Sequence, residues 1–391
     1  MVQKTSVNLN VSLCVKWKRI FFVLIFLFSN CQSRKTFATN HIYNCPFLQN
    51  VFERQFLFVP FATFLQFAVD IALLMVYNIF TLHKGNLTMK QSTFATFDGK
   101  SIALYVWDDV ANPKGVVKIC HGMAEHAKRY DEFAQYLNKH GYVVVATDNR
   151  GHGLSAKQNS LGFEEGEMFA NDAHDQIHLC AQLKAQHNLP VFLFGHSYGS
   201  FVTQSVVCQP NNIDGFVLCG SNYMKGISFK LCHAIAKWMC KHKGGNHPAQ
   251  LIANLSFGMY EKKFPGKNAW LNRDADQVAL YNNDELCGFV CSANFYRCFM
   301  KGVSGLYGKK SASGVDKRKP ILLVAGSDDP VGNYGKGVQK LCKFYAKTVG
   351  VQKVETTLYS GARHEILNEP LCKADVFQRV CNYLDGCLKQ N

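Results

Sequence analysis

The sequence predicts an α/β protein: a mostly parallel eight-stranded sheet flanked by helices, with a helical cap inserted between strands 6 and 7. Eight short apolar runs, at 92–97, 102–107, 116–120, 142–147, 190–194, 215–219, 321–325 and 356–359, alternate with helix-length periodic segments at 130–140, 164–187, 334–348 and 371–388. Strands that alternate with helices pair in parallel and are covered on both faces. The first two runs flank Asp98-Gly99-Lys100, a hairpin signature. Residues 222–319 break the alternation. They hold no strand run, are basic and aromatic, and read as a lid over the carboxyl edge of the sheet, where open α/β sheets place their ligands.

Composition excludes other classes. Of 391 residues 48% are hydrophobic and 18% charged, with 10 Pro and 30 Gly, so disordered and collagen-like chains are ruled out. The 16 Cys are scattered, with no C-x-x-C pair, and read as reduced thiols in a reducing compartment rather than a disulfide scaffold or a zinc site. The net charge of +15 includes no Lys/Arg-rich run, so attraction to anionic membranes is a better use of it than nucleic-acid binding.

Residues 1–88 differ in kind from the rest, with 13 of the 30 Phe and a net charge of +6. Residues 20–28 are apolar behind Lys16, Lys18 and Arg19, too short to span a bilayer; residues 56–82 are long enough but include Gln66 and Asp70. Three readings stand for this leader: a membrane anchor, a cleaved or docking segment, or upstream sequence before a true start at Met89. Residues 89–391 form the expected catalytic domain, with the cap at about 222–319, cytoplasmic and membrane-associated if the leader anchors it.

The sharpest motif is Gly195-His196-Ser197-Tyr198-Gly199, between an apolar run and a helical segment. G-x-S-x-G in strand–turn–helix context is a nucleophile elbow, with Ser197 as nucleophile. A serine hydroxyl needs a base, and the base an orienting carboxylate, in chain order Ser, Asp/Glu, His. Gly326-Ser327-Asp328-Asp329-Pro330 follows the seventh run, and Gly361-Ala362-Arg363-His364-Glu365 follows the eighth. His364, the only His after His247, is the expected base. Asp329 is the expected acid, with Asp328 the alternative. The oxyanion needs two preorganised donors, and the candidates are the backbone N–H groups of Tyr198 and of Met123 in His121-Gly122-Met123-Ala124-Glu125-His126. No metal or organic cofactor is needed.

Together HGMAEHAKRY (121–130), DNRGHGLS (148–155), GHSYG (195–199), GSDDP (326–330) and GARH (361–364) resemble the monoacylglycerol lipase/lysophospholipase group of α/β-hydrolases, a group also filed as serine aminopeptidase S33. The resemblance runs from about Met89 to the C-terminus and implies the same triad, Ser197, Asp329 and His364, with Met123 and Tyr198 as oxyanion donors. It extends to 270–288, which looks like the group's cap. Asp148, Arg150 and His152 match a loop whose role in the group is mainly structural.

The expected substrate is a lipid ester, a monoacylglycerol or lysophospholipid. In the lid, Ile227, Leu231, Cys232, Ile235, Trp238 and Met239 recur at helical spacing, with Lys230, Lys237, Lys241 and Lys243 mostly elsewhere around the helix. Such a helix suits a membrane surface, or packs its apolar side on the main domain. Phe257, Phe289, Phe295 and Tyr296 could line an acyl tunnel or fill a core. An aminopeptidase would need an acidic group in the cap, for which Glu261, Asp274, Asp276, Asp284 and Glu285 are available. A non-catalytic binding protein on the same scaffold is the third reading. Serine at the elbow argues against epoxide hydrolases and dehalogenases, which carry Asp there.

Overall fold

The structure is a computed structural model and describes residues 89–389; the leader with its two hydrophobic stretches lies outside the described residues. Eight strands, β1 (Lys90–Ala95), β2 (Ser101–Trp107), β3 (Gly115–Cys120), β4 (Tyr142–Thr147), β5 (Val191–His196), β6 (Gly215–Cys219), β7 (Ile321–Gly326) and β8 (Val354–Tyr359), form one sheet in the order β1-β2-β4-β3-β5-β6-β7-β8. Strand β2 pairs antiparallel with β1 and β4, and every other pairing is parallel. Strands β3 to β7 are buried along their length, because helices cover both faces.

The first hairpin turns earlier than the apolar run suggests. The Thr96 N–H donates to the Lys100 carbonyl at 2.8 Å, so Phe97 belongs to the turn rather than to β1. One face of the sheet packs against α1 (Asp131–Lys139) and α10 (Lys373–Leu388), whose Phe133, Phe377 and Val380 meet Phe192 and Phe194. The other face packs against α2 (Met168–His187), α3 (Tyr198–Val207) and the cap.

The cap lies between β6 and β7 and is helical: α4 (Ile227–Lys243), α5 (Gln250–Lys263), α6 (Ala275–Asn283), α7 (Ala293–Gly305) and α8 (Lys309–Ser313). Ser292 caps α7 by accepting the Phe295 N–H, and Asp274 caps α6 by accepting the Asp276 N–H. After β7, α9 (Lys336–Lys343) runs into a π-turn at Phe344–Val349 and stops at Gly350, whose φ of 82° suits glycine.

The apolar stripe expected on α4 divides. Ala236 and Met239 are buried, whereas Leu231 is 60% and Trp238 54% exposed. A helix with apolar residues so widely spread cannot turn all of them to one neighbour. No helix of the described residues is long and apolar enough to cross a membrane.

Candidate active site

Strand β5 leads straight into α3, and Ser197 stands at the junction with φ 51° and ψ −119°, a conformation sparsely populated by side-chain-bearing residues. The turn is tight enough that a Cβ on Gly195 would collide with the Gly199 carbonyl, and one on Gly199 with the Cys120 carbonyl, so glycine is required at both. The Ser197 N–H donates to the Cys219 carbonyl at 3.0 Å, tying the elbow to β6.

The other expected residues come from the carboxyl ends of three strands. The loop after β3 runs close to the elbow: a Cβ on Gly122 would sit 3.2 Å from Ser197 Cβ. Among the described residues, neither the Met123 N–H nor the Tyr198 N–H donates to a protein acceptor, and both residues line the cavity that Ser197 lines. After β7, Asp329 is fully buried and Asp328 exposed. After β8, His364 Nδ1 lies 3.0 Å from Asp329 Oδ2. Asp329 Oδ1 also accepts the Val331 N–H at 2.8 Å, which fixes the carboxylate. Among the described residues no hydrogen bond joins the Ser197 hydroxyl to the His364 ring, a contact that often tightens only with substrate.

Ser197, Tyr198, Met123 and His364 open onto a cavity of about 570 Å³, within the usual range for small-molecule sites. The cap supplies most of the remaining wall, including Phe229, Phe257, Phe289, Tyr296 and Met300. Phe295 is not on that wall; its ring packs 4.9 Å from Tyr198 and 5.6 Å from His152. Glu261 is the one member of the expected acidic cap set that lines the cavity.

Several residues around the site were not singled out by motif. His196 Nδ1 lies 3.3 Å from Glu125 Oε1, and its Nε2 3.4 Å from the His364 carbonyl oxygen. Glu125 also accepts the Gly122 N–H at 2.5 Å and the Tyr130 hydroxyl at 2.9 Å. Arg129 bridges Glu125 and Glu365, at 2.7 Å to each on one nitrogen and 2.8 Å to Glu365 on the other. Burial disfavours the charge on Glu125, but His196 and Arg129 hold its carboxyl well below the usual range. Burial likewise opposes charge on His196, and Glu125 outweighs it, raising the imidazole. The only local cue was the spacing of four between Glu125 and Arg129; Glu365 is 236 residues from Arg129. Trp270, read from the sequence only as the start of the cap-like segment 270–288, has its ring centroid 5.3 Å from that of His364, on the cavity wall.

Two further buried histidines, His121 and His152, are poor bases. Burial lowers His121 to about 4 and His152 to about 3. Asp148 accepts from Tyr105, Ala127 and Leu154, and Arg150 pairs with Asp98 and Asp175, so this loop has a structural job.

The strand order, the elbow between β5 and α3 and the inserted cap define an α/β-hydrolase fold. Residues 111–371 match the family described as serine aminopeptidase, S33, and the chain belongs to that family. It is 27% identical to human monoglyceride lipase over 297 residues, covering 72% of this chain and 86% of that one. It is also 27% identical to the monoacylglycerol lipase of Mycolicibacterium smegmatis over 289 residues, covering 72% and 92%. A solved structure of a lipase in its open form superposes with a TM-score of 0.70 at 27% identity, covering 77% of this chain and 99% of that one.

Proposed function

We propose that the chain hydrolyses carboxylic esters of lipids, a monoacylglycerol or a lysophospholipid, through an acyl-enzyme on Ser197. The observation that carries this reading is the buried His364–Asp329 pair, at 3.0 Å, whose imidazole shares an aromatic cavity with the strained elbow serine. Asp329 accepts from His364 Nδ1–H and leaves Nε2 free to take the Ser197 proton. Ser197 Oγ then attacks the ester carbonyl, and the oxyanion is held by the Met123 and Tyr198 N–H groups, each worth roughly 3 kcal/mol. His364 returns the proton to the leaving glycerol or glycerophospho oxygen, and water repeats the sequence to release the fatty acid.

The cap wall of Phe229, Phe257, Phe289 and Tyr296 gives an acyl chain an apolar berth. Exposed apolar side chains on α4 and α5, among them Leu231, Trp238, Leu255 and Met259, suit contact with a lipid surface. A second reading, aminopeptidase activity, has Glu261 on the cavity wall in its favour, as an anion for a substrate's amino group. A panel of a monoacylglycerol, a lysophospholipid, a p-nitrophenyl ester and an aminoacyl-naphthylamide, run with wild type and Ser197→Ala, tests both. Turnover of the lipid esters that vanishes in Ser197→Ala supports the proposal. Preference for the naphthylamide, or ester turnover surviving in Ser197→Ala, overturns it.

A further inference from the structure

The loop bearing Met123 is fastened to the cap at the edge of the cavity, through Ala124, Tyr281 and Gly288, which all line it. The Ala124 carbonyl accepts from the Tyr281 hydroxyl and from the Gly288 N–H, each at 2.9 Å. Ala124 is held at φ 53°, an uncommon conformation for a residue with a side chain. Two residues on, His126 Nε2 lies 2.8 Å from Asp284 Oδ2 across the same junction. A ring nitrogen of His126, a carboxylate oxygen of Asp284 and Sγ of Cys287 all lie within 4.8 Å of one another, the only such group among the described residues. None of the three residues lines the substrate cavity.

From this juxtaposition we propose that His126, Asp284 and Cys287 form a binding site for a soft divalent cation of the zinc type, clamping the cap to the oxyanion loop. One nitrogen, one oxygen and one sulfur donor, with a fourth position for water, is a donor set that zinc takes up. Small adjustments bring three atoms already within 4.8 Å onto one tetrahedral ion. Water and the ion have a way in, since the Asp284 side chain is one-third exposed and Cys287 is only partly buried.

His126 meets this junction through Nε2, which faces Asp284; its Nδ1 is buried with no hydrogen-bond partner, so carrying the ring proton there while Nε2 takes the metal is a cost that the metal–ligand bonds must offset. The Cys287 S–H bond breaks as the metal–sulfur bond forms, and that proton goes to solvent. One carboxylate and one thiolate then neutralise the two charges of the ion. The nearby Arg129 does not oppose it strongly: its guanidinium is already engaged by Glu125 and Glu365 and sits 4.9 Å over the Tyr281 ring. Sequence spacing could not reveal the site, because His126 and Asp284 are 158 residues apart.

The test uses the whole chain, stripped by chelator and titrated with Zn2+ by calorimetry, and with Co2+ for the thiolate-to-metal charge-transfer band. The expected result is one equivalent bound, a Tm raised by Zn2+, and binding at least about tenfold weaker in both Cys287→Ser and Asp284→Asn. Asp284→Asn keeps the volume and a polar partner for His126, so it reads the site even if Cys287→Ser folds poorly. Cys342→Ser, at a partly buried cysteine elsewhere, should bind as wild type does. Absence of Zn2+ binding tighter than about 100 μM overturns the proposal, as does undiminished affinity in Asp284→Asn or an equal loss in Cys342→Ser.

Discussion

The hydroxyl of Tyr198 donates to Asp172 Oδ2 at 2.7 Å, and both side chains are fully buried. This cavity-lining residue is therefore tied through its ring to α2. Asp172 Oδ1 accepts the Arg150 N–H at 3.0 Å, and Phe295 and Phe299 pack on the ring at 4.9 and 5.4 Å. Tyr198→Phe keeps the packing and leaves a buried carboxyl one donor short, a loss of about 1–3 kcal/mol in stability. Because the same residue is the proposed oxyanion donor, kcat should also fall, by about three- to tenfold, with KM little changed. Urea unfolding and steady-state ester kinetics check both parts, and unchanged stability would reject the anchoring role.

The same carboxyl gives stability a pH signature. Burial pushes Asp172 up to about 7, against the Tyr198 hydrogen bond and with help from the Asp175 charge. The folded chain therefore binds this proton more tightly than the unfolded chain, whose aspartate titrates at 3.8. Stability contributed by the protonated form is fully present below the unfolded value and is lost as pH rises through about 7. The unfolding free energy of wild type relative to Asp172→Asn should fall between about pH 4 and 7 and level off above it. Urea titrations across that range measure the difference, and one that rises with pH contradicts the assignment.

Asp329 and Asp328 should separate cleanly in kinetics. Asp329 is buried on His364, while Asp328 is exposed, its carboxylate accepting from the Ser327 hydroxyl at 3.2 Å and its N–H donating to the Ala362 carbonyl at 3.0 Å. Asp329→Asn should lower kcat for a p-nitrophenyl ester by about 10⁴, the loss expected when the imidazole is held in the wrong tautomer. Asp328→Asn should remain within a few-fold of wild type. The reverse ranking would move the acid to Asp328.

How far the sequence could be read follows from how local each signal is. The alternation of apolar runs with helical segments survives in a single chain, so the sheet and the inserted cap were legible. Gly195 and Gly199 were legible as well, because a turn that crowds backbone on backbone tolerates nothing else. Adjacent carboxylates were not separable by pattern: Asp328 and Asp329 differ only in which way the loop turns after β7. The Glu125–Arg129–Glu365 cluster was hidden because its partners meet only once β3 and β8 lie in one sheet. The division of α4 was hidden for a related reason, since periodicity says that Leu231 and Trp238 are apolar but not whether a neighbour covers them.

Arg129 is the cation on which that buried cluster depends. It is nearly enclosed, with a side-chain exposure of 13%, and Glu125 and Glu365 are at 4% and 5%. Arg129→Met leaves two buried carboxylates facing each other and should destabilise the fold by about 3–5 kcal/mol. Arg129→Lys restores charge but not the two-pronged contact with Glu365, and should recover only part of the loss. Chemical denaturation of the three proteins gives the ranking. Equal stability of wild type and Arg129→Met would show that the cluster is solvated rather than buried.

The lid surface makes a prediction at the level of the membrane. Leu231 and Trp238 on α4, and Leu251, Leu255 and Met259 on α5, are each more than half exposed. Lys230, Lys237 and Lys241 lie on α4 beside them. Apolar side chains that reach a bilayer interface while lysines meet its headgroups combine two modest attractions. The chain should therefore partition onto vesicles containing anionic lipid, more weakly onto zwitterionic ones and less at high salt. Replacing Trp238 by Ala removes an exposed ring whose neighbours, His242 at 5.2 Å and the Lys243 ammonium at 6.0 Å, lie on the same stretch of chain, so folding should be spared. Partitioning should drop by about 1–2 kcal/mol, roughly five- to thirtyfold, while turnover of a water-soluble p-nitrophenyl ester stays near wild type. Vesicle sedimentation alongside soluble-ester kinetics separates surface binding from chemistry. Equal sedimentation of wild type and Trp238→Ala would mean that α4 is not the face that meets lipid.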